Sequence, residues 1–191
     1  MKINASNRLS TQPSPSAYIL GLFKGKNPNN YDRTTSYLDQ ELKELAAQII
    51  KEDNFTGEVG STVTFRTGQE TPAQKIILVG LGDEANFNLD TIRIASAAAI
   101  KAATGLRAQN VLTMLPRAGN GNTSAYETAL EVAEITQSAL YRLDKYKSIK
   151  QPSGIDTFTI LEPDENKLKE IEAGIRRGEA ISEARSLART I

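Results

Sequence analysis

Segments with the pattern of β-strands alternate with segments with the pattern of α-helices along this chain of 191 residues. Short apolar runs predict six strands, at residues 1–7, 17–23, 62–65, 75–79, 111–115 and 157–161. Apolar residues at helical spacing predict four helices, at about residues 38–49, 90–102, 123–141 and 164–191. The order ββαββαβαβα predicts an α/β fold, a three-layer sandwich with a mixed, mostly parallel sheet between helices. A single domain over residues 1–191 accounts for all of these elements.

Capping residues mark the starts of three predicted helices. Ser36 precedes the first helix, and Thr123 or Ser124 precedes the third, each with the hydroxyl oxygen that an N-cap needs. Pro163 and Asp164 suit the start of the last helix, because proline fits a first turn and a carboxylate suits the positive end of the dipole.

Gly174 and Gly178 lie inside the last predicted helix, where each costs about 1 kcal/mol relative to alanine. We therefore expect this helix to lie close against another backbone, in this domain or in a partner. Its apolar face consists of Leu168, Ile171, Ile175, Ile181, Ala184, Ala188 and Ile191. The sequence stops within this face, without a cap or a polar tail, so we expect a piece of a longer protein.

The chain contains neither cysteine nor histidine. Disulfides, thiolate nucleophiles and zinc fingers are therefore excluded, together with the most common general base and transition-metal ligand. A metal site would have to use carboxylates, carbonyls or an unusual lysine, so most hydrolytic machinery is missing. Basic and acidic residues both number 23, and this zero net charge excludes coating of nucleic acid by bulk charge.

The longest apolar runs, such as residues 76–79, are far shorter than the ~18 residues that span a bilayer. The N-terminus also lacks the apolar segment of a secretory signal. We therefore expect a cytoplasmic protein without a membrane partner.

The segment Gly80-Leu81-Gly82-Asp83-Glu84-Ala85 follows a predicted buried strand and fits the dinucleotide-binding fingerprint, if alanine is allowed at the third small position. The next helix starts only near residues 88–90, too far along for its N–H groups to meet a pyrophosphate held by these glycines. The following strand ends at Leu115-Pro116-Arg117, without an acidic residue for a ribose hydroxyl. The alternative is a tight turn that needs a positive φ.

Three pairs of adjacent acidic residues are candidate ligands for Mg²⁺ or Ca²⁺: Glu52 and Asp53, Asp83 and Glu84, and Asp164 and Glu165. Adjacent carboxylates on a helix or a turn point apart and chelate one ion poorly. The alternative is that each pair is solvated surface or a helix cap.

Residues 141–150 form the strongest basic and aromatic cluster. This cluster contains one acidic residue, Asp144, and four basic residues, Arg142, Lys145, Lys147 and Lys150. Its tyrosines could stack on bases, a feature that suits binding of nucleic acid. The alternative is a solvated helix end, with the cations at the negative end of the dipole.

Four stretches of the chain stand out as a set: Phe55-Thr56-Gly57-Glu58-Val59-Gly60; Ile77-Leu78-Val79-Gly80-Leu81-Gly82 with Arg93 and the alanine-rich helix after it; Tyr141-Arg142-Leu143-Asp144-Lys145-Tyr146-Lys147-Ser148; and Leu187-Ala188-Arg189-Thr190-Ile191. Together they resemble the N-terminal domain of the leucyl (cytosol) aminopeptidases, the M17 metallopeptidase family. The third is the most specific, because the family shows a Tyr-Arg-Phe-Asp-x-Tyr-Lys-like run there. This chain departs from the family at Leu143, where Phe is usual, and at Thr190, where Asp is usual. The resemblance extends from about Ala17 to Ile191.

The resemblance implies a macro-domain-like fold, in agreement with the predicted layers, and a parent enzyme that removes N-terminal residues, preferring leucine. The family's enzymes are hexamers that use two divalent ions such as Zn²⁺ or Mn²⁺. Their metal ligands and their catalytic lysine and arginine lie in a C-terminal metallopeptidase domain. None of those motifs occurs in this sequence, so no catalytic, cofactor-binding or metal residue is assigned.

The expected function is therefore that of a non-catalytic N-terminal domain, with the C-terminal catalytic domain of the same polypeptide as its partner. Its expected role is hexamer assembly or control of access to the active site. Two alternatives remain. A nucleic-acid-binding or regulatory module is suggested by residues 141–150, and a free-standing macro-like ADP-ribose or nucleotide binder by fold analogy alone.

Overall fold

The computed structural model describes residues 1–8, 15–25, 40–67, 74–114, 123–140 and 154–188. These ranges contain six β-strands: β1 (Lys2–Ser6), β2 (Ala17–Leu22), β3 (Thr62–Arg66), β4 (Lys75–Gly80), β5 (Asn110–Met114) and β6 (Thr157–Leu161). They also contain a short 3₁₀ turn (Glu84–Asn86) and four α-helices: α1 (Gln40–Glu52), α2 (Leu89–Gly105), α3 (Ala125–Leu140) and α4 (Glu165–Ala188). The order is the predicted one. None of the helices in these ranges combines the length and the apolar character that crossing a membrane requires.

All six strands belong to one sheet, in the order β1-β6-β5-β2-β4-β3. Neighbouring strands are parallel except β3 and β4, which are antiparallel. Parallel neighbours need long crossover connections, and helices lie on these connections. The prediction of a mixed, mostly parallel sheet is therefore confirmed, with β3 as its antiparallel edge.

Apolar side chains cover both faces of the sheet, as the centre of β4 illustrates. Ile77 and Val79 belong to the larger core cluster, which includes side chains of α2, α3 and α4. Ile76 and Leu78 belong to a second cluster on the opposite face, against which Ile50 of α1 packs. Helices on both sides of a central sheet make the three-layer α/β sandwich that the order of elements predicts.

Side-chain caps start α2 and α3. Asn88 Oδ1 accepts a hydrogen bond of 3.1 Å from the Thr91 N–H. At the start of α3, Ser124 Oγ accepts a hydrogen bond from the Glu127 N–H, and the Ser124 N–H donates to Glu127 Oε2. This reciprocal pair is a capping box, so Ser124 is the cap of α3. Ser36, the predicted cap of α1, lies outside the described residues.

Helices α3 and α4 approach each other closely at two glycines of α4. A Cβ atom on Gly174 would lie 2.3 Å from the carbonyl oxygen of Tyr126, and one on Gly178 would lie 2.4 Å from that of Leu130. No side chain fits at these distances unless the helices move apart. The predicted close approach is therefore confirmed, and the neighbouring backbone is α3 of the same chain.

The packed face of α4 differs in part from the predicted apolar face. Ile181 is only half-buried, and Ala184 and Ala188 are exposed, so the predicted face is not the packed one in the last turns. Small residues bring α3 and α4 together, and an apolar pattern overlooks glycine and serine. The buried residues of α4 are Ile171, Gly174, Ile175, Gly178 and Ser182.

Candidate functional site

The loop after α1 and the turn after β4 pack against each other at the carboxyl ends of β2 and β4, the edge at which open α/β sheets bind ligands. Four glycines meet here, and we call them the glycine junction: Gly57, Gly60, Gly80 and Gly82. The Gly60 N–H donates to Gly80 O at 3.0 Å, and the Gly82 N–H donates to Gly57 O at 2.8 Å. The Lys24 N–H donates to Gly82 O at 2.9 Å. Backbone hydrogen bonds therefore join the loop, the turn and the segment after β2.

Close backbone packing explains why glycine occupies the turn after β4. A Cβ atom on Gly80 would lie 1.9 Å from the carbonyl oxygen of Glu58, and Gly82 has a φ of +68°. The N–H groups of Gly80 and Gly82 donate to the carbonyl oxygens of Ser61 and Gly57, at 2.8 Å each. These N–H groups are not available to a pyrophosphate, and α2 begins only after the 3₁₀ turn. The structure therefore supports a tight turn at this segment and not the dinucleotide fingerprint.

Two carboxylates neutralise the lysine beside the glycine junction. Lys24 Nζ lies 2.6 Å from Glu58 Oε1. The hydrogen bond to Glu58, together with the charges of Glu58 and Asp83, raises the pKa of Lys24. Both members of the ion pair are about half exposed, so the pair adds little to stability. Two carboxylates beside one lysine disfavour an anionic ligand at this place.

A groove of about 580 Å³ lies beside the junction, between α1, the end of β2 and the loop before β3. Its lining is mostly apolar, including Ile50 and Phe55, with Lys24 and Lys51 also among the lining residues. This volume falls in the range of small-molecule sites, about 300–1,000 Å³. The described lining contains no carboxylate, imidazole or thiol, so it offers shape and apolar contact rather than acid–base groups.

The three acidic pairs lie at three separate helix ends. Glu52 accepts a hydrogen bond of 2.7 Å from Gln48 within α1. Asp164 Oδ1 accepts a hydrogen bond of 3.0 Å from the Asn166 N–H at the start of α4. Asp83 is the residue that precedes the 3₁₀ turn. These positions agree with surface and capping roles. Among the described residues, no three histidine, cysteine, aspartate or glutamate side chains are grouped so that they could hold a metal ion.

The basic and aromatic cluster at residues 141–150 lies outside the described residues. The described part of α3 ends at Leu140, directly before it. Its two interpretations, a nucleic-acid surface or a solvated helix end, therefore stay predictions.

Sequence analysis missed two buried carboxylates on α3. Glu131 accepts two hydrogen bonds of 2.6 Å from Arg93 of α2, and Glu134 pairs with Arg185 of α4. The glutamate side chains are only 9% and 7% exposed. Hydrogen bonds to Glu131 and then to Asp90 raise the pKa of Arg93. The one available signal was the spacing of two glutamates, three residues apart in a helix that is otherwise rich in apolar residues. The two arginines thus connect α3 to both neighbouring helices.

The fold is an α/β domain. At the carboxyl edge of its sheet, residues 55–60 and 77–82, which belong to two of the four stretches singled out in the sequence, pack backbone against backbone in the glycine junction. A family model for the N-terminal domain of the cytosol aminopeptidase family matches residues 19–150. The chain belongs to the cytosol aminopeptidase family, through its N-terminal domain. The match includes three of the four stretches on which the resemblance to the M17 family rests, and the recognition is therefore confirmed.

Two curated relatives illustrate how much of the family's length this chain represents. A probable cytosol aminopeptidase of Trichormus variabilis is 34% identical over 123 residues, which cover 64% of this chain and 24% of the relative. A probable cytosol aminopeptidase of Alkaliphilus oremlandii is 27% identical over 195 residues, which cover 100% of this chain and 38% of the relative. The chain thus spans about a quarter to two fifths of the length of these relatives.

Solved structures share the fold. A tomato leucine aminopeptidase mutant superimposes with a TM-score of 0.75 at 23% identity, over 96% of this chain and 36% of that chain. A Trypanosoma brucei macrodomain superimposes with a TM-score of 0.63 at 12% identity, over 89% of this chain and 65% of that chain. At these identities the likeness concerns the fold, and it confirms the macro-domain-like architecture.

Proposed function

We propose that this chain is the non-catalytic N-terminal domain of a longer cytosol aminopeptidase, joined in one polypeptide to a C-terminal metallopeptidase domain. The complete protein releases N-terminal amino acids, preferring leucine, and does so in the cytoplasm as a hexamer. Two divalent ions, Zn²⁺ or Mn²⁺, assist the hydrolysis in the C-terminal domain. The N-terminal domain helps to assemble the oligomer and limits access to the active site.

The observation that carries the proposal is the match to an N-terminal domain in relatives that are much longer than this chain. The Alkaliphilus oremlandii relative aligns with all of this chain, yet the alignment covers only 38% of that relative. A catalytic domain in the remaining length accounts for the enzyme activity that the names of the relatives state.

The residues on which the resemblance to the family rests form contacts within this domain, and this supports a structural role for it. Residues 55–60 and 77–82 hydrogen-bond to each other at the glycine junction. Arg93 is engaged by Glu131 and Asp90. These contacts stabilise the domain and join its layers, and they leave the same groups unavailable for binding a substrate.

Two measurements test the proposal. An immunoblot of source cells, with an antibody raised against residues 1–191, should detect a band much larger than 20.8 kDa. The native protein, purified from the same cells with Mn²⁺ or Zn²⁺ present, should release free leucine from leucine amide. The 191-residue chain alone, assayed with the same ions at equal molar concentration, is the matched control and should release none.

Either of two results would contradict the proposal. A native band at 20.8 kDa means that cells use this domain alone, and binding would then be its function. Leucine release by the 191-residue chain, at a rate proportional to its concentration, means that the domain itself is catalytic.

A further inference from the structure

Strand β3 forms one edge of the sheet, and within the described sheet it pairs only with β4. An edge strand presents a row of backbone N–H and C=O groups to which another strand can bind. Natural proteins often protect such an edge with proline or with charged side chains inside the strand. The sequence of β3, Thr-Val-Thr-Phe-Arg, contains no proline, and its one charge is on its last residue, Arg66. This edge is therefore suited to pairing with a further strand.

Hydrogen bonds at the two ends of β3 show which of its backbone groups point outward. The Gly80 N–H donates to Ser61 O at 2.8 Å directly before the strand, and the Thr67 N–H donates to Gln74 O at 3.1 Å directly after it. In an antiparallel pair, every second residue of a strand forms hydrogen bonds to the partner strand. The odd-numbered residues of β3 thus face β4. The residues whose N–H and C=O groups point away from β4 are Thr62, Thr64 and Arg66.

We propose that β3 pairs antiparallel with β3 of a second copy of this chain, about a twofold axis at Thr64. The axis places Thr64 opposite Thr64 and Thr62 opposite Arg66, and each such pair can exchange two hydrogen bonds. Any other register leaves an outward-facing residue of β3 opposite a residue outside the strand. The inference rests on the proposed role of the domain in assembly, for which it names the surface.

The side chains on both faces of the sheet suit this register. On one face, Val63 lies opposite Phe65 of the second copy. Both are half-buried residues that pack against the second core cluster, so pairing covers more of their apolar surface. Pairs of β-branched and aromatic residues stabilise neighbouring strands. On the other face, Arg66 lies opposite Thr62, so no like charges are directly opposed.

Exposed apolar side chains lie beside the start of β3. Val59, three residues before the strand, is 40% exposed, and Ile94 of α2 is 53% exposed. A Cβ atom on Gly60 would lie 2.8 Å from Ile94 Cγ2, which places Ile94 next to the segment that enters β3. The apolar surface at the proposed interface therefore extends beyond the strand itself.

Because the chain has no cysteine, single cysteine variants can test the register. Thr64→Cys places two thiols opposite each other at the axis, with Cα atoms about 5.5 Å apart, which suits a disulfide. Thr62→Cys is the matched control on the same edge, because its two thiols would be offset along the strands by roughly 14 Å. Under mild oxidation at equal concentration, Thr64→Cys should form a disulfide-linked dimer on non-reducing gels, and Thr62→Cys should stay monomeric.

Analytical ultracentrifugation measures the association without a crosslink. The mass of the unmodified chain should rise with concentration from 20.8 kDa toward twice that value. Thr64→Pro removes an outward-facing donor and spares the hydrogen bonds between β3 and β4, so the dissociation constant of the dimer should rise roughly tenfold or more. Thr64→Val keeps the N–H and should retain the dimer.

A pair of charge variants provides a test even if Thr64→Pro does not fold. Residue 64 lies opposite its own copy at the axis, so Thr64→Lys and Thr64→Glu should each remain monomeric through repulsion of like charges. An equimolar mixture of the two should form a heterodimer, because a lysine then lies opposite a glutamate.

Three outcomes would overturn the proposal. The first is a mass of 20.8 kDa for the unmodified chain throughout the concentration series, which would leave this edge to a strand of another protein. The second is equal crosslinking of Thr64→Cys and Thr62→Cys, since the register would then be wrong. The third is an unchanged dissociation constant for Thr64→Pro, which would place the interface elsewhere. None of these outcomes changes the mass of the native protein or its release of leucine, the two measurements that test the proposed function.

Discussion

Arg93 of α2 donates two hydrogen bonds of 2.6 Å to Glu131 of α3 and thereby joins the two helices. Only 9% of the Glu131 side chain is exposed. A carboxylate in such a place is strongly unfavourable without a cation. Arg93 itself is 44% exposed, so water reduces the strength of the pair. The main effect of the pair on stability is therefore that it prevents Glu131 from being a buried carboxylate without a cation.

Arg93→Met should destabilise the domain. The variant keeps the length of the apolar stem but leaves Glu131 buried without its cation, so we expect the free energy of unfolding to fall by about 2 kcal/mol at pH 7. Urea unfolding measures the change. Arg176→Met, at an exposed position of α4, is the control and should change stability by less than about 0.5 kcal/mol. Equal losses in the two variants would show that the Glu131 pair contributes nothing specific.

Gly178→Ala should force α3 and α4 apart. Its Cβ atom would lie 2.4 Å from a backbone oxygen of α3, and we expect a loss of about 3 kcal/mol by thermal or urea unfolding. Gly105 is the matched control because it ends α2 and a Cβ atom there meets nothing within 4 Å among the described atoms. Gly105→Ala should raise stability by about 0.5 kcal/mol. A Gly178→Ala variant as stable as the unmodified chain would contradict the close packing of α3 and α4.

Gly82 and Gly25 separate the cost of backbone strain from the cost of contact. Their φ angles are +68° and +69°, so alanine costs each about 1–2 kcal/mol of strain. Only Gly82 has a close neighbour, since its Cβ atom would lie 2.4 Å from Val59 Cγ2. Gly82→Ala should therefore cost about 1 kcal/mol more than Gly25→Ala in urea unfolding.

Val59→Ala removes Val59 Cγ2, the atom that a Cβ on Gly82 would meet. Combined with Gly82→Ala, it should abolish the difference in stability loss between Gly82→Ala and Gly25→Ala. A difference that survives in the double variant would mean that Val59 is not its source.

The local pattern of the sequence was sufficient for several of these features. The uninterrupted apolar residues of β4 predict a strand buried on both faces, and a capping hydroxyl at Thr123 or Ser124 predicts the start of α3. Gly174 and Gly178 likewise predict that α4 lies close against another backbone, because glycine destabilises the interior of a helix and is expected there only where a side chain would not fit.

Features that depend on distant residues could not be predicted in the same way. Glu131 and Glu134 look like surface residues until their arginines, 38 and 51 residues away, are placed beside them. The role of Gly80 is similar, because the carbonyl oxygen that excludes a side chain there belongs to Glu58, in a different loop. Local periodicity carries no information about such pairings, so only the fold reveals them.

Glu127 should titrate at an unusually low pH as long as its cap is intact. The Ser124 N–H and the Ser124 hydroxyl both bond to its carboxylate and lower its pKa. The folded-state pKa lies below the unfolded one, so the stabilisation is present above the unfolded pKa and is lost as the pH falls through the folded pKa. Ser124→Ala keeps the backbone N–H and removes the hydroxyl, so it should move the pKa of Glu127 part of the way up toward its ordinary value in an NMR titration.

Ser61→Ala is the control for this titration, because the Ser61 hydroxyl donates to Glu58 O and does not contact Glu127. It should leave the pKa of Glu127 where it is. An unchanged pKa in Ser124→Ala would contradict the hydrogen bond from the Ser124 hydroxyl to the Glu127 carboxylate.

A chain that ends at residue 150, where the family match ends, should not fold cooperatively. It lacks β6, which lies between β1 and β5, and it lacks α4, which packs on α3. We expect no sigmoidal unfolding transition in urea. Removal of residues 189–191 alone is the control and should preserve the transition, because it retains β6 and all the described residues of α4, Glu165–Ala188. Cooperative unfolding of the shorter chain would contradict a single domain over residues 1–191.

The position of β1 also bears on how the protein emerges from the ribosome. Within the described sheet β1 pairs only with β6, and Lys2 aligns with Thr157, about 150 residues later. At roughly 5–20 residues per second, the first strand is synthesised on the order of 10–30 s before its partner. The apolar side chain of Ile3, which is buried in the finished fold, stays without its native cover for that time. Among the described strands, β1 thus waits longest during synthesis for its first partner in the sheet.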